Sequence, residues 1–225
     1  MIREPVFLFD LDGTLTDNYR GISASIVHAM QCLDVPAPDT ATLRGCVGPP
    51  LRDSFARLLE TRDAVLIERA IAHYRERFAD VGWRENVVYD GIDAILSTLA
   101  ARASRMFICT AKPEVFARRI AAHFGFDAHL DGVYGADLAG ALDDKTRLLA
   151  HLLATERIEA AATLMIGDRA NDIRAAHENG ARAVGVLWGY GTRDELSGAD
   201  AFVAGPEELP DVLAQMIESE ANRIR

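Results

Sequence analysis

The sequence predicts an α/β fold in which a parallel β-sheet is flanked by helices and carries a purely helical insertion. Short apolar runs alternate with helical patterns along most of the chain, which is typical of βα units around a parallel sheet. The alternation is interrupted once, because residues 17–86 contain several helical patterns and no convincing strand. A helical insertion directly after the first strand indicates a cap over one edge of the sheet.

Five apolar segments have the length and composition of buried strands. The first ends at Asp10, the second at Thr110 and the third at Gly167-Asp168, so a polar side chain follows each of these three strands. The five predicted strands cover residues 6–9, 104–109, 163–166, 182–187 and 201–203.

Helices are predicted between these strands and throughout the insertion. Within the insertion, apolar residues recur at helical spacing, as at Ile22, Ile26, Met30 and Leu33. The helices that flank the sheet are predicted over residues 92–102, 114–124, 145–154, 170–179 and 207–218, and those of the insertion over 19–33, 39–44, 51–60 and 63–80.

Composition argues against several classes of function. The net charge of −10 over 225 residues repels polyanions, so no nucleic-acid polymer is expected as a partner. No apolar run approaches the ~20 residues that span a bilayer, and Asp10 precedes any signal-peptide core, so a cytoplasmic location without a membrane partner is expected. The three cysteines form no CxxC pair, which argues against a disulfide framework.

The basic residues have an unusual distribution, because 22 of the 24 are arginine and only Lys112 and Lys145 are lysine. Generic surface positions accept either cation, so a position that retains lysine is expected to need a compact, flexible ammonium group. Lys112 lies two residues beyond Thr110, and Lys145 opens a predicted helix, where a cation is unfavourable. Both lysines are therefore candidates for contact with phosphate.

The segment Asp10-Leu-Asp-Gly-Thr-Leu15 brings two carboxylates together directly after a buried strand. Asp10 and Asp12 are two residues apart on extended chain and point to the same side, while Gly13 lets the backbone bend towards a ligand. Carboxylates this close repel each other unless a cation intervenes, which favours Mg²⁺. One carboxylate can attack phosphorus while the other protonates the departing alcohol and then takes a proton from water.

Further polar side chains are expected at the same edge, because the loops after parallel strands converge on one crevice. Thr110 offers a hydroxyl to a phosphoryl oxygen, and Lys145 can neutralise phosphate charge in the transition state. Asp168 can reach the metal, and Asp172 lies one helical turn later on the same side. Helix capping is the alternative role for Thr110 and Asp168.

In order and spacing, these residues resemble the four motifs of the haloacid dehalogenase (HAD) superfamily, and the resemblance covers essentially the whole chain. The insertion resembles the small-cap (C1) branch, which includes phosphoglycolate phosphatases, some 5′-nucleotidases and β-phosphoglucomutases. The resemblance implies a Rossmann-like core domain of residues 1–16 and 87–225 and a helical C1-type cap domain of residues 17–86.

The resemblance implies a role for each acidic residue. Asp10 would be the nucleophile and a ligand of Mg²⁺. Asp12 would be the general acid and base, with its backbone carbonyl on the metal. Asp168 would complete the metal site, and Asp172 would support it. Because the dehalogenases of the superfamily lack an acid two residues after the nucleophile, Asp12 favours phosphate esters over carbon–halide substrates.

The remaining motif residues would bind the substrate. Thr110 and Lys145 would hold the transferring phosphoryl group, with Gly13 and Ala111 beside it. The implied activity is Mg²⁺-dependent hydrolysis of a small phosphate ester through an aspartyl phosphate. Gly48-Pro-Pro50, Thr110-x-Lys112-Pro113 and Gly189-Tyr-Gly191 look most like the phosphoglycolate-phosphatase group, whereas Tyr89-Asp90-Gly91 departs from it where proline is expected.

The resemblance favours 2-phosphoglycolate as the substrate, with nucleoside 5′-monophosphates as the leading alternative and phosphosugars next, and a mutase shares the same chemistry. A small anionic substrate would require a cationic residue near the crevice, whereas a nucleotide would require an aromatic or apolar platform. Candidates for this selectivity are Arg44, Arg52 and Lys112.

Two rival interpretations are less consistent with the sequence. Cys46 and Arg52 have the Cys-x5-Arg spacing of cysteine phosphatases, but Pro49 and Pro50 remove two of the N–H groups that such a loop directs at phosphate. A phospho-accepting receiver module uses a similar set of side chains, but it is about half as long and has no helical insertion.

Overall fold

The computed structural model describes residues 4–101, 104–138 and 142–223, and it confirms the predicted α/β fold class. Six strands form one parallel sheet, and two short strands pair separately and antiparallel. In chain order the strands are β1 (Val6–Phe9), β2 (Thr16–Asp17), β3 (Val87–Val88), β4 (Arg105–Pro113), β5 (Gly132–Ala136), β6 (Thr163–Gly167), β7 (Arg182–Val186) and β8 (Ala201–Val203).

Helices flank the sheet and fill the insertion between β2 and β3. None of the helices in the described ranges is both long and apolar enough to cross a membrane. In chain order they are α1 (Tyr19–Cys32), α2 (Thr40–Arg44), α3 (Leu51–Leu58), α4 (Ala64–Asp80), α5 (Ile92–Ala100), α6 (Glu114–Phe124), α7 (Lys145–Glu156), α8 (Ala170–Glu178) and α9 (Leu209–Arg223).

Strand β1 lies inside the sheet, whose order is β5-β4-β1-β6-β7-β8. Its side chains alternate between two buried clusters, with Phe7 and Phe9 in one and Val6 and Leu8 in the other. A strand that is covered on both faces needs an unbroken apolar run, which explains the sequence of β1. The first polar residue after it, Asp10, therefore emerges at the middle of the sheet edge.

The sheet contains one strand that the sequence did not predict. β5 pairs with β4 at the edge of the sheet, and its glycines Gly132 and Gly135 weaken the apolar pattern on which strand prediction depends. β4 is longer than predicted and reaches Pro113, with a shift in register after Thr110. The predicted end of the helix that became α5, residue 102, lies outside the described residues.

The four helices of the insertion were predicted within one or two residues at each end. The side chains of Asp39 and Asp63 accept hydrogen bonds from backbone N–H groups at the starts of α2 and α4, so both are N-caps rather than helical residues. β2 and β3 pair through Thr16 with Val88 and Asp17 with Val87. The insertion therefore leaves and rejoins the sheet at one place, although its separation as a cap domain of residues 17–86 stays a prediction.

Helix α4 connects the insertion to the edge of the sheet. The rings of Tyr74 and Phe78 stack with their centroids 5.4 Å apart, and the Phe78 ring meets Phe116 of α6 edge-on at 5.1 Å. On the opposite side of the insertion, α1 approaches the turn after α4 so closely that a Cβ at Gly21 would collide with the Gly82 carbonyl. These contacts place one aromatic face of α4 above the carboxyl end of β4.

Candidate active site

A crevice at the carboxyl ends of β1 and β4 contains part of the residue set that the sequence singles out. The sheet contributes Asp10, Asp12, Thr110, Ala111 and Lys112 to its lining. The insertion contributes mainly apolar and aromatic side chains on the opposite side, among them Ile22, Leu51, Tyr74 and Phe78. The predicted convergence of distant segments at one sheet edge is thus observed in the geometry.

Three buried carboxylates form an acidic cluster at this edge. Asp10, Asp168 and Asp172 each present an oxygen atom, and these atoms lie within 4.8 Å of one another. Burial, together with the charges of Asp10 and Asp172, raises the pKa of Asp168 well above its ordinary value. Burial also raises the pKa of Asp172 to about 6, although Lys145 opposes the shift. The cluster therefore concentrates negative charge that a cation would stabilise.

Asp168 follows β6 and is held by the segment that comes after β7. Its Oδ2 atom accepts a hydrogen bond of 2.8 Å from the Tyr190 N–H, and a Cβ at Gly189 would collide with the Asp168 side chain. Asp168 does not cap α8, since Arg169 occupies that position. Its Oδ1 atom is buried and has no hydrogen-bond partner within the described part of the chain. An unpaired carboxylate oxygen beside two further carboxylates fits a hard divalent cation.

Asp172 has both of its oxygen atoms engaged by the protein. Oδ2 accepts a hydrogen bond of 2.9 Å from the Arg169 N–H at the start of α8, and Oδ1 pairs with the Lys145 ammonium. A carboxylate with two such partners can orient its neighbours without binding the metal itself. This geometry agrees with the supporting role that the resemblance implies.

Lys145 begins α7, where Asp144 provides the N-cap. Its ammonium lies 2.8 Å from Asp10 Oδ1 and also pairs with Asp172, and its side chain is only 2% exposed. Burial opposes the charged form, but the Asp10 and Asp172 carboxylates outweigh it and raise the pKa of Lys145. The cation at this helix start is therefore explained by its carboxylate partners.

A second lysine–carboxylate pair lies beside the first. Lys112 Nζ is 2.5 Å from Asp12 Oδ2, and Asp12 Oδ1 accepts a 3.3 Å hydrogen bond from Asn18 Nδ2. The Lys112 ammonium also lies 4.7 Å from the centroid of the Phe78 ring, which comes from α4. Both lysines of the chain are thus buried next to the carboxylates of the Asp10-x-Asp12 segment.

Thr110 and Gly13 have roles that the structure makes more specific. Thr110 Oγ1 accepts a 3.3 Å hydrogen bond from the Lys112 N–H. Thr110 does not cap α6, because Pro113 is the N-cap residue of that helix. The Gly13 N–H donates to Thr16 O at 2.8 Å, so it closes a turn rather than pointing at a ligand as expected. Gly13 has φ +91°, and a Cβ there would lie 2.8 Å from Asp168 Oδ1, so only glycine allows this approach.

The structure places the arginines Arg44 and Arg52 away from the crevice. Arg52 pairs with Asp143 at 2.5 Å and with Glu68 at 2.8 Å. The Arg44 guanidinium lies 5.6 Å from the ring centroids of Tyr19 and Tyr190. The expectation that either arginine selects the substrate is therefore not supported, and Lys112 is the candidate that does line the crevice.

The Cys-x5-Arg pattern does not form a phosphate-binding loop. The Cys46 thiol contacts Thr42 O at 3.3 Å at the end of α2, and Arg52 points towards Glu68 and Asp143 instead. Cys46 borders the crevice only as part of its apolar wall.

Sequence reasoning missed several contributions to the site. Asn18 holds Asp12, the Tyr190 N–H holds Asp168, and Phe78 faces Lys112. Helical spacing identifies the buried face of α4 but does not say which surface that face covers. Asn18 carried no distinguishing signal, whereas Tyr190 lies in the Gly189-Tyr-Gly191 segment that the resemblance had already indicated.

Comparison with known proteins gives a consistent set of relatives. Residues 7–186 match the family model described as haloacid dehalogenase-like hydrolase. A 5′-nucleotidase of Pseudomonas aeruginosa is 45% identical over 195 residues, which cover 87% of this chain and 88% of that protein. A phosphoglycolate phosphatase of Xanthomonas campestris is 31% identical over 207 residues, which cover 90% of this chain and 93% of that protein.

Two further similarities complete the comparison. The tyrosine-protein kinase PtkA of Mycobacterium tuberculosis is 38% identical over 210 residues, which cover 93% of this chain and 71% of that protein. Among solved structures, a predicted phosphatase from Clostridium acetobutylicum matches with a TM-score of 0.91 and 35% identity, over 94% of this chain and 99% of that chain.

Proposed function

This chain belongs to the haloacid dehalogenase-like hydrolase family and is a phosphatase, and we propose that it hydrolyses nucleoside 5′-monophosphates with the help of Mg²⁺. The aromatic surface of α4 carries the proposal. Tyr74 and Phe78 face the sheet edge across the crevice, with Ile22 and Leu51 beside them. A nucleoside needs such an apolar platform, because it buries a flat base while its phosphate stays at the polar edge.

This substrate differs from the one that the sequence placed first. 2-Phosphoglycolate carries a carboxylate beside its phosphate and requires a cation from the insertion, but Arg44 and Arg52 are engaged elsewhere. The 45% identical relative is named a 5′-nucleotidase, which supports the same choice. The expected cytoplasmic location stays a prediction.

The proposed reaction has two steps at the sheet edge. Asp10 attacks phosphorus to form an aspartyl phosphate, the bond from phosphorus to the 5′-oxygen breaks, and Asp12 gives that oxygen a proton. Asp12 then takes a proton from water as the water oxygen bonds to phosphorus, and the phosphorus–Asp10 bond breaks to release phosphate. Thr110 and Lys145 hold the phosphoryl oxygens, beside Ala111, throughout both steps.

The metal proposal depends on the acidic cluster. Asp10 and Asp168 would hold Mg²⁺ with the Asp12 carbonyl, and Asp172 would support the site. The free Asp168 Oδ1 atom is the observation that favours this assignment. When bound, Mg²⁺ would supply positive charge that offsets the repulsion between the Asp10 carboxylate and the phosphate.

A substrate panel tests the proposed function. Initial rates are measured with AMP, UMP, 2-phosphoglycolate and glucose 6-phosphate, each with Mg²⁺ and with EDTA. We expect kcat/KM for at least one nucleotide to exceed those of the other esters by about tenfold, which a pocket that recognises the base can supply. A higher value for 2-phosphoglycolate, isomerisation of a phosphosugar, or activity that survives EDTA contradicts the corresponding part of the proposal.

Metal removal is expected to change the pH dependence of stability. The pKa of Asp172 is about 6 in the folded protein and 3.8 ordinarily, so the folded state holds a proton that the unfolded state has lost. In EDTA this contribution to the free energy of unfolding should decline as pH rises from about 4 to 6. Because a nearby Mg²⁺ would favour the deprotonated form of Asp172, it should raise Tm more at pH 7.5 than at pH 5. An equal rise at both pH values, measured by differential scanning calorimetry, contradicts the competition with the proton, and no rise at pH 7.5 contradicts a metal site here.

A further inference from the structure

The proposed reaction gives no role to Lys112, although the sequence marks this residue as a candidate for contact with phosphate. Its side chain is only 5% exposed, and its ammonium lies between Asp12 Oδ2 and the ring of Phe78. Its backbone N–H donates to the hydroxyl of Thr110. One residue therefore contacts the proposed acid and base, the proposed phosphoryl ligand and the aromatic wall of the crevice.

The Lys112 ammonium holds one of the two oxygen atoms of Asp12, the proposed acid and base. Lys112 and Asp12 both line the crevice, whereas Asn18, which binds the other oxygen of Asp12, does not belong to the described lining. Of the two Asp12 oxygen atoms, Oδ2 is thus the one whose partner borders the crevice. An oxygen that accepts a short hydrogen bond from an ammonium is a poor carrier of a proton, so proton transfer through Oδ2 is favoured once Lys112 has moved away.

A buried ammonium that leaves a carboxylate needs another anionic partner, because an unpaired charge in a site closed to water is strongly unfavourable. The flexible four-carbon stem of lysine allows such a movement. Phe78 can hold the cation only in part, since an aromatic ring attracts it more weakly than a full negative charge does. The phosphoryl group that Thr110 is proposed to bind provides the missing anion close by.

We infer that Lys112 is a substrate-binding residue whose ammonium exchanges Asp12 Oδ2 for a phosphoryl oxygen when the substrate enters. Asp12 is thereby released for proton transfer only when a phosphate ester is present. The inference rests on the proposed hydrolysis of a phosphate ester at this sheet edge. It does not require that the leaving group is a nucleoside.

A double-mutant cycle with inorganic phosphate as the probe tests the exchange. Phosphate binding is measured by calorimetry, with Mg²⁺ present, for the wild type, Lys112→Met, Asp12→Asn and the double variant. If Lys112 binds the phosphoryl group, Lys112→Met should weaken phosphate binding roughly 10- to 100-fold in the Asp12→Asn background, as expected for a lost charge-assisted hydrogen bond. The loss should be smaller when Asp12 is present, because there phosphate must first break the pair.

An unchanged phosphate affinity in the Asp12→Asn background would contradict the inference. If phosphate affinity in the Asp12→Asn background changes less than about twofold on Lys112→Met, Lys112 serves only to hold Asp12, and the inference is wrong. The double variant removes both members of the buried pair, so the comparison remains valid even if Lys112→Met alone fails to fold.

A matched control replaces a different cation that also lies over an aromatic ring, but outside the crevice. Arg193 lies 4.5 Å from the ring centroid of Phe202, and Arg193→Met should leave phosphate affinity unchanged. Hydrolysis of any phosphomonoester releases phosphate. The effect of Lys112→Met on phosphate binding therefore does not depend on whether the substrate is a nucleotide. A Lys112 effect on phosphate binding without nucleotide hydrolysis would support this inference and reject the proposed substrate.

Discussion

Asp10→Asn is expected to lower kcat by at least about 10⁴-fold while the fold is retained, because an amide cannot form the acyl phosphate. Asp10 follows the fully buried strand β1 and lies 2.8 Å from the Lys145 ammonium. The amide has nearly the same shape as the carboxylate and still offers an oxygen to Lys145. The loss should therefore fall on kcat rather than on stability.

The measurement is a steady-state assay with the preferred ester, supported by a trapping experiment. Wild-type protein that is quenched in acid during turnover should carry phosphate on Asp10, and the variant should carry none. Cys46→Ser changes the thiol that borders the crevice and should leave kcat within about twofold. An Asp10→Asn variant with wild-type kcat would remove the nucleophile assignment.

Lys145→Met is expected to have a large effect on both stability and rate. The substitution keeps the stem but leaves Asp10 and Asp172, which lie beside Asp168, without their buried cation. Breaking a buried ion pair by removing one partner typically costs about 3–5 kcal/mol in the free energy of unfolding. Because the ammonium is also proposed to stabilise the transferring phosphoryl group, kcat should fall by roughly 10²–10³-fold.

Urea denaturation in EDTA and in Mg²⁺ separates the two effects of Lys145→Met. A divalent cation in the acidic cluster should restore part of the lost stability but not the rate. Arg147→Met removes an exposed cation from the same helix and should change the free energy of unfolding by no more than about 0.5 kcal/mol. Equal stability of the wild type and Lys145→Met in EDTA would contradict the charge balance described here.

The fold and the position of the site were largely predictable because they depend on local patterns. β1 needs an unbroken apolar run, and this run fixes both its burial and the position of Asp10. The edge strand β5 was missed because its two glycines interrupt the apolar pattern. Strands with an unbroken apolar run were thus identified from the sequence, whereas the strand interrupted by glycines was not.

The pairing within the site was less predictable, because it depends on contacts between distant residues. Composition singled out Lys112, but only the structure shows that it meets Asp12 and lies against Phe78. The same reason explains why Arg52 was a candidate for substrate contact, since its partner Asp143 lies 91 positions away. The chemistry of a side chain can be recognised from sequence, whereas its partner follows from packing.

The pairing of β2 with β3 has a consequence for how this architecture diversifies. Because Thr16 faces Val88 across the ladder, the two ends of the inserted helices lie side by side, and a tight turn of two residues could join them. A segment anchored in this way can be lengthened, shortened or exchanged between homologues without altering the order of the sheet strands. Chimeric proteins joined at these two strands would therefore be expected to keep one hydrolytic centre while acquiring another ligand preference.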